Sequence, residues 1–493
     1  MTRIGVAYNF PARGNDNVRW IQKWPGRAQA NENKVPTVLL YANDHSRLIA
    51  WGFHAETFTG QNRESFREWF KTLLDPVCLA RHKVLDPGDE TTQEEIERWY
   101  YDFFTVLYNH IKQKLGPEML ELNWASAHIE FLFSVPTTWS PQVVEGFRRI
   151  IRNAGFVNPL NEKHEVIISM TEPEAAAVHT SANVPGMFRD GDILVVCDAG
   201  GGTTDLSALQ VTNTASDPMS LNQLRQVDVV SGENIGSAAI DYSFEQMVLE
   251  RLAVAEGTAG LASEPGDTAW QMTRSSQFQN TKCEYGAPDG SPKFAVPVSL
   301  LDPHYANIKA GIRDGEMHFD QTELQRLFDE QIDKLFKLID KQLSALALMS
   351  PAINADHLIL SGGLGQSPYL QQRLKERYGN QGHTFADVHT MQVHVAPEPQ
   401  LAVCKGLVLD RLRKIRAGQG VLGWRCCRAS YGLICKELYD IDNPKHIGRK
   451  TQRDPKDKLL YVQDCIDWFV VRVSGCNHVY QHELTEFRAP LCP

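Results

Sequence analysis

VVCDAGGGTTDLSALQV, residues 195–211, is an apolar run that ends in an acid, turns on three glycines and leaves through two threonines and a second acid. A continuous apolar run of this length reads as a buried strand, and its acid stands where such a strand ends at a site. Asp198 is that acid. Gly200, Gly201 and Gly202 turn the chain, and Thr203, Thr204 and Asp205 open a returning strand. Glycines let a backbone approach a phosphate closely and admit positive φ. Their N–H groups can form an anion-binding concavity. Threonine hydroxyls add donors, and the carboxylates can hold Mg²⁺ through water. This is no Walker loop, which needs GxxxxGK[ST] before a helix. Nor is it a dinucleotide fingerprint, because a strand rather than a helix follows the glycines. Taken alone, it is equally a glycine-rich hairpin with a solvated acid.

Two further segments share the chemistry. In MTEPEAAAVHT, residues 170–180, a strand ends and Glu172-Pro173 opens an alanine-rich helix, which puts Glu172 at a strand–helix junction where a carboxylate can orient water. Acids and proline are also simply good first-turn residues. In LILSGGLGQSPYLQQRL, residues 358–374, a strand, a glycine pair and a helix with an early proline make a flat surface suited to a purine or ribose. A tight strand–helix loop reads the same way.

Around these segments the chain alternates short strands with long helices, so the fold class is α/β. Strands are expected over 4–8, 37–40, 129–135, 193–198, 205–211, 223–230 and 357–360. Helices are expected over 141–154, from Pro368 and over 399–414. The clearest helix is 321–343, with Leu324, Leu327, Phe328, Ile332, Leu335 and Ile339 on one face and a capping box from Asp320 to Glu323. A glycine- and alanine-rich surface loop is expected over 256–267. From Gly418 the texture turns to glycine, cysteine and aromatics, which suggests a boundary near 415.

The 493 residues are 42% hydrophobic and 22% charged, enough for a large core. With 50 basic and 60 acidic residues the net charge is −10. An acidic chain lacks the basic face that non-specific nucleic-acid binding needs. No 18-residue apolar run exists to span a bilayer, and the start is no signal peptide. Ten scattered cysteines without CxxC suggest reduced thiols and no zinc site, in the cytoplasm or the nucleus.

An E-P-x-A-A helix, an acid-plus-GGGT hairpin and a late S-G-G loop, in this order, resemble the actin-like ATPase superfamily. Within it they resemble the heat-shock protein seventy (DnaK-type) chaperones, in the divergent branch of large fungal and animal relatives. KVPTVLLYAND (34–44), EWFKTLLDP (68–76) and FSVPTTWSP (133–141) support the likeness, which covers about residues 1–410. RASYGLICKEL resembles the start of the family's β-rich substrate-binding domain. The resemblance implies an actin-like ATPase fold of two lobes over a nucleotide cleft, with lobe I at 1–170 and lobe II at 171–412. A lid subdomain would be inserted at about 236–310, and a short β-rich segment would occupy 413–493.

The implied cofactors are ATP or ADP and Mg²⁺, and the implied activity is ATP hydrolysis coupled to lobe closure. The implied partners are an adenine nucleotide, client polypeptides and co-chaperones, with no nucleic acid and no membrane. Asp198 would be the Mg²⁺-side, water-ordering carboxylate, with Asp205 in the metal shell through water. Gly200, Gly201, Gly202 and Thr203 would cradle phosphates, and Glu172 would orient water. Gly362 and Gly363 would pack on the adenosine, Lys282 and Gln279 would reach ribose and base, and Gly232 and Glu233 would line the phosphate side. Lys71 is a candidate for the family's catalytic lysine. Cys283 stands where the family usually has a basic residue, as does Gln366 where it often has one.

Actin-like ATPases carry two phosphate hairpins. The start, MTRIGVAYNF, resembles only the returning strand of the first, with Thr2 as the last threonine of its turn. The incoming strand and its acid have no counterpart. Three or four buried apolar side chains at about 1.5–3 kcal/mol each would amount to roughly 5–10 kcal/mol. The expectation is a true start upstream of Met1, and the alternative is a degenerate nucleotide binder with impaired hydrolysis. Residues 462–493 lack the patterning of a sheet with a helical lid, so the substrate-binding part is expected to be short. Two other functions remain open: a non-catalytic, nucleotide-gated interaction module, and a carbohydrate or acetate kinase on the same superfold.

Overall fold

The computed structural model describes residues 2–470, except 15–16, 59–62, 87, 120–122, 158–162, 185, 213–222, 229, 255–263, 289–292, 299–300, 380–390 and 427–429. Helices and strands are mixed throughout, as the alternation in the sequence requires. Most of the expected 256–267 loop lies outside the described residues, and its end opens the helix Pro265–Arg274.

The glycine-rich stretch forms the hairpin Ile193–Ala199 and Thr204–Thr212, paired antiparallel with Asp198 opposite Asp205. It lies at the centre of a seven-stranded sheet. Ile193–Ala199 pairs in parallel with His357–Ser361, which pairs in parallel with Gln392–Val395. On the other side Thr204–Thr212 pairs with Gln223–Gln226 and Ser231–Glu233. Leu422–Trp424 adds the last strand, so the chain re-enters this sheet after the expected boundary near 415. Every residue of Ile193–Ala199 and His357–Ser361 is buried, which is why both read as unbroken apolar runs. Behind them packs the helix Gln321–Ala347, with the Asp320/Glu323 capping box in place.

The first part of the chain builds a separate, aromatic core from Phe70, Trp99, Phe103, Phe104, Phe147 and Phe156. Ile129–Val135 pairs in parallel with His164–Thr171. The expected strand 4–8 is two short pieces, Arg3–Ile4 on Val35–Pro36 and Ala7–Tyr8 on Arg19–Trp20, interrupted at Gly5-Val6. The expected 141–154 helix is Pro141–Ile151, followed by a wider turn through Phe156. Beyond Leu422–Trp424, Tyr431–Leu438, Thr451–Arg453 and Leu460–Val470 form a three-stranded antiparallel sheet. Leu433, Ile434 and Trp468 are exposed on it. The remainder of the expected short C-terminal segment lies outside the described residues.

Two helices tie the parts together. Glu172–Asn183 follows His164–Thr171, and Ala402–Ala417 follows Gln392–Val395. They pack on each other, and a Cβ at Gly406 would overlap the Ala175 carbonyl. The alanines 175–177 are therefore a crossing surface, small so that two backbones can approach. Helix propensity alone makes Gly→Ala stabilising by about 0.5–1 kcal/mol. Gly406→Ala should reverse that sign and cost about 1–3 kcal/mol through overpacking. A urea-unfolding midpoint equal to or above wild type would refute the close crossing.

Candidate functional site

One cavity of about 790 Å³ takes in the ends of all three glycine- or acid-bearing segments. Gly200, Gly201, Gly202 and Thr203 line it, as do Gly362, Gly363, Asp198 and Glu172. Thr2, Lys71, Gln279, Lys282, Cys283 and Gln366 also stand on its wall.

The hairpin turn is closed by the Gly200 N–H donating to the Thr203 carbonyl, 2.9 Å. Helix Ser237–Val254 begins beside it. Its first two free N–H groups, Ser237 and Ala238, donate to the carbonyls of Gly200 and Gly201 at 3.3 and 2.8 Å. A helix must place its initial donors somewhere, and here the hairpin receives them. Because a trans peptide is planar, the carbonyl of one residue and the N–H of the next point opposite ways. The N–H groups of Gly201 and Gly202 are thereby turned away from the helix, and neither has a hydrogen-bond partner among the described residues. Gly236 permits this approach, since a Cβ there would overlap the Gly201 carbonyl.

The glycines serve by lacking a side chain more than by unusual dihedrals. None of the three hairpin glycines has positive φ, whereas Gly362 does, at 86°. A Cβ on Gly362 would also overlap the Ala199 carbonyl and crowd Asp198. The two glycine bends are thus in contact side by side and open onto the same space.

Glu172 is delivered by the strand–helix junction. Glu174 accepts from the Thr171 N–H at 2.7 Å and serves as the cap, which leaves Glu172 for the cavity. Lys71 Nζ donates to Glu172 Oε1 at 2.6 Å. The Lys71 backbone is itself held by Tyr100, whose hydroxyl donates to the Lys71 carbonyl. Burial works against the Lys71 charge, but the Glu172 carboxylate more than restores it, so its pKa lies above the usual lysine value. Burial, then the Glu172 charge, pushes Asp198 above the usual carboxylate range, against the hydrogen bond from Ser361 Oγ at 2.6 Å.

Asp205 sits behind the wall rather than on it, fully buried. Its Oδ1 accepts from the N–H (2.7 Å) and hydroxyl of Thr137, while its Oδ2 is buried with no hydrogen-bond partner among the described residues. Burial and the Glu172 charge push its pKa up to about 7.

Five residues expected to contact the nucleotide stand as follows. Gly232 and Glu233 do not line the cavity. Ser231–Glu233 pairs with the returning strand, so Gly232 lies against Asp205 and Thr137, where a Cβ would collide, and Glu233 is exposed. Lys282 is engaged with Asp241, whose carboxyl burial would raise but which the ammonium holds down at about 2. Gln279 Nε2 donates to the Thr273 carbonyl at 2.8 Å and to Asp241. Gln366 Oε1 accepts from Gln400 at 2.6 Å.

Lys34 was not legible as a site residue. It lies on the cavity wall, its stem passes Gly5 and Cys404, and it makes no hydrogen bond or ion pair among the described residues. Burial pulls its ammonium below the usual lysine range, with Asp198 and Glu172 among its charged neighbours. Thr37 also lines the wall and accepts from the Thr2 hydroxyl at 3.1 Å. Nothing in the spacing of KVPT marks either residue.

Among the described residues no group of three or more His, Cys, Asp and Glu is arranged to hold a metal directly. No described helix is long and apolar enough to cross a membrane.

No protein-family model matches the chain. Over 98% of its length and 77% of theirs, it is 21% identical to heat shock 70 kDa protein 12A of Homo sapiens and of Mus musculus. It is 22% identical to heat shock 70 kDa protein 12B of Homo sapiens, over its whole length and 77% of that protein. The chain is therefore a distant homologue of these heat-shock proteins along nearly all of its sequence.

The buried Asp205 gives a pH signature. Native Asp205 keeps its proton up to about 7, whereas the unfolded side chain releases it near 3.8. Its contribution is therefore fully present below about pH 4 and is lost as pH rises through 7. Asp205→Asn should flatten the fall in urea midpoint between pH 4 and 7. An unchanged slope in the variant would show that Asp205 ionises normally.

Proposed function

We propose that this cavity binds a magnesium adenine nucleotide, ATP or ADP. The outward-turned N–H groups of Gly201 and Gly202, on a wall that also carries Lys34 and Lys71, carry this reading. Two N–H donors and two ammonium groups favour a polyanion, and carboxylates on the same wall favour a cation riding on it. The distant homology to heat-shock 70 kDa proteins points the same way.

In this reading Gly200, Gly201, Gly202 and Thr203 cradle phosphates. Gly362 and Gly363 offer a surface free of side chains to the nucleoside, with Gln366, Gln279, Lys282 and Cys283 beside it. The residues fit Mg²⁺ held through water: Asp198 reaches the cavity, and Asp205 is buried behind it. A bound Mg²⁺ would neutralise phosphate charge. Glu172, anchored by Lys71, and Asp198 are placed to orient a water by accepting its hydrogen bonds. Thr203 stands next to the same space. Catalysis would rest on positioning and charge.

We extend the proposal to architecture: two lobes at 1–170 and 171–412 around the cavity, a lid inserted at about 236–310, and a β-rich segment at 413–493. Hydrolysis would move the lobes, and clients would meet the exposed Leu433, Ile434 and Trp468. A non-catalytic, nucleotide-gated module is the second reading. It is favoured by the wall around Thr2, Thr37 and Lys34, which adds no carboxylate: among the described lining residues the carboxylates are Glu130, Glu172 and Asp198, and Glu130 is bound to Arg411.

Calorimetry should show saturable Mg-ATP or Mg-ADP binding. Asp198→Asn should keep that affinity within a few-fold and lower phosphate release by about 10²–10³. Turnover equal to wild type would remove Asp198 from the chemistry. Tight binding with no phosphate release by the wild type would select the non-catalytic module. No saturable binding at millimolar nucleotide would defeat both readings.

A further inference from the structure

The three-stranded sheet near the end of the chain carries two cysteines that the nucleotide reading does not use. Tyr431–Leu438 and Leu460–Val470 pair antiparallel, and in that register Cys435 stands directly opposite Cys465. Directly opposed residues of an antiparallel pair lie on the same face of the sheet. Their Cα atoms are about 4.5 or 5.5 Å apart, depending on the hydrogen-bonding class of the pair. Both spacings fall within the range of roughly 4.4–6.8 Å that a disulfide spans. Both thiols are free. Among the described residues no other two cysteines face each other across a strand pair.

The two sulfurs differ in access. Cys435 is half-buried, whereas Cys465 is only 7% exposed and its Sγ donates to the Val462 carbonyl at 3.8 Å. One thiol can therefore meet a small reagent from solvent while the other is shielded. That division suits a pair in which one sulfur is attacked first and its neighbour resolves the product.

A covalent tie at this place has a physical effect. Among the described side chains of the three strands, only Val462 and Cys465 are buried. The sheet has little core of its own, and small units of this kind gain most from a staple. The ladder is also interrupted next to the pair. Gln463 and Asp464 stand opposite Lys436 alone, and Asp464 has a φ of 56°. Such a bulge leaves its extra residue unpaired and bends its strand. A bond between residues 435 and 465 would hold the strands together beside that bulge and close a loop containing the third strand, Thr451–Arg453.

We propose that Cys435 and Cys465 form a redox modification site, in which a low-molecular-weight disulfide, oxidised glutathione, converts the two thiols into a reversible cross-strand disulfide. The Cys435 thiolate attacks one sulfur of oxidised glutathione, breaks its S–S bond and releases one glutathione thiolate. The Cys465 thiolate then attacks the Cys435 sulfur of the mixed disulfide and expels the second glutathione. Two electrons pass from the protein thiols to glutathione, and the two thiol protons end on the two released glutathione thiols. Reduced glutathione reverses the same steps, and the accessible Cys435 sulfur makes the bond of the labile kind. When closed, the bond fixes the two strands on which Leu433, Ile434 and Trp468 are exposed. Neither cysteine lines the nucleotide cavity, so the site stands without that reading.

The test equilibrates the full chain at varied ratios of oxidised to reduced glutathione and digests it with trypsin without reduction. Cys435 and Cys465 fall on separate tryptic peptides, 429–436 and 459–472, each with one cysteine. Mass spectrometry should find these two peptides linked at oxidising ratios and separate again after dithiothreitol. Oxidation should also slow chymotryptic cleavage between residues 436 and 464 by at least about ten-fold. Cys435→Ser should lose both the link and the protection, while being cleaved at the rate of the reduced wild type. Cys465→Ala should stop at the mixed disulfide of Cys435 with glutathione. Absence of the linked peptide at every ratio would overturn the proposal. So would a link from either cysteine to a third one in its place, or protection by oxidant that persists in Cys435→Ser. Failure of nucleotide binding would leave these outcomes unaffected.

Discussion

The candidate site depends on where one helix puts its first two hydrogen bonds. Ser237 and Ala238 donate to the carbonyls of Gly200 and Gly201, and peptide planarity then turns the amides of Gly201 and Gly202 the other way. The helix needs acceptors for its initial donors, and the hairpin needs its peptide planes fixed. One pair of contacts does both. Gly236 lets the helix come close enough, and Gly200 closes the turn onto Thr203. No side chain is required to create the donor pair, which is why the stretch is so poor in side chains.

A second constraint sets what stands around those amides. Each parallel strand pair ends in a helix, and the two helices cross at Ala175 and Gly406. Closeness there fixes the start of Glu172–Asn183 relative to the glycine-rich sheet. Glu172 consequently reaches Lys71 from one part of the chain, while in another its charge adds to burial in raising Asp198 and Asp205. Such a cluster of carboxyls is costly to bury, and it persists because Ser361, Thr137, Lys71 and Lys34 share the load.

Much of this was legible because it is local. Unbroken apolar runs marked Ile193–Ala199 and His357–Ser361, and a 3.6-residue stripe with its capping box marked Gln321–Ala347. The glycine bends and Glu172 could be named because strand ends, turns and first helical turns have local signatures. What could not be read is long-range. The alanines at 175–177 look like helix propensity and act as a crossing surface for a glycine 231 positions from Ala175. SGENIG looks like a phosphate loop, yet its Gly232 is a spacer against Asp205 and Thr137. Lys34 carries no pattern at all, since its position depends on the fold around Gly5 and Cys404. The broken strand at 3–8 reads as continuous because periodicity reports a face, not the partner beside it.

Amide hydrogen exchange resolved to single residues tests the central claim most directly, with and without saturating Mg-ADP. The expected result is slowed exchange at Gly201, Gly202 and Thr203 together with the 361–366 bend, since both open onto one cavity. Exchange that is unchanged at both bends, or slowed only at sites away from them, would contradict the claim that these amides face a bound polyphosphate.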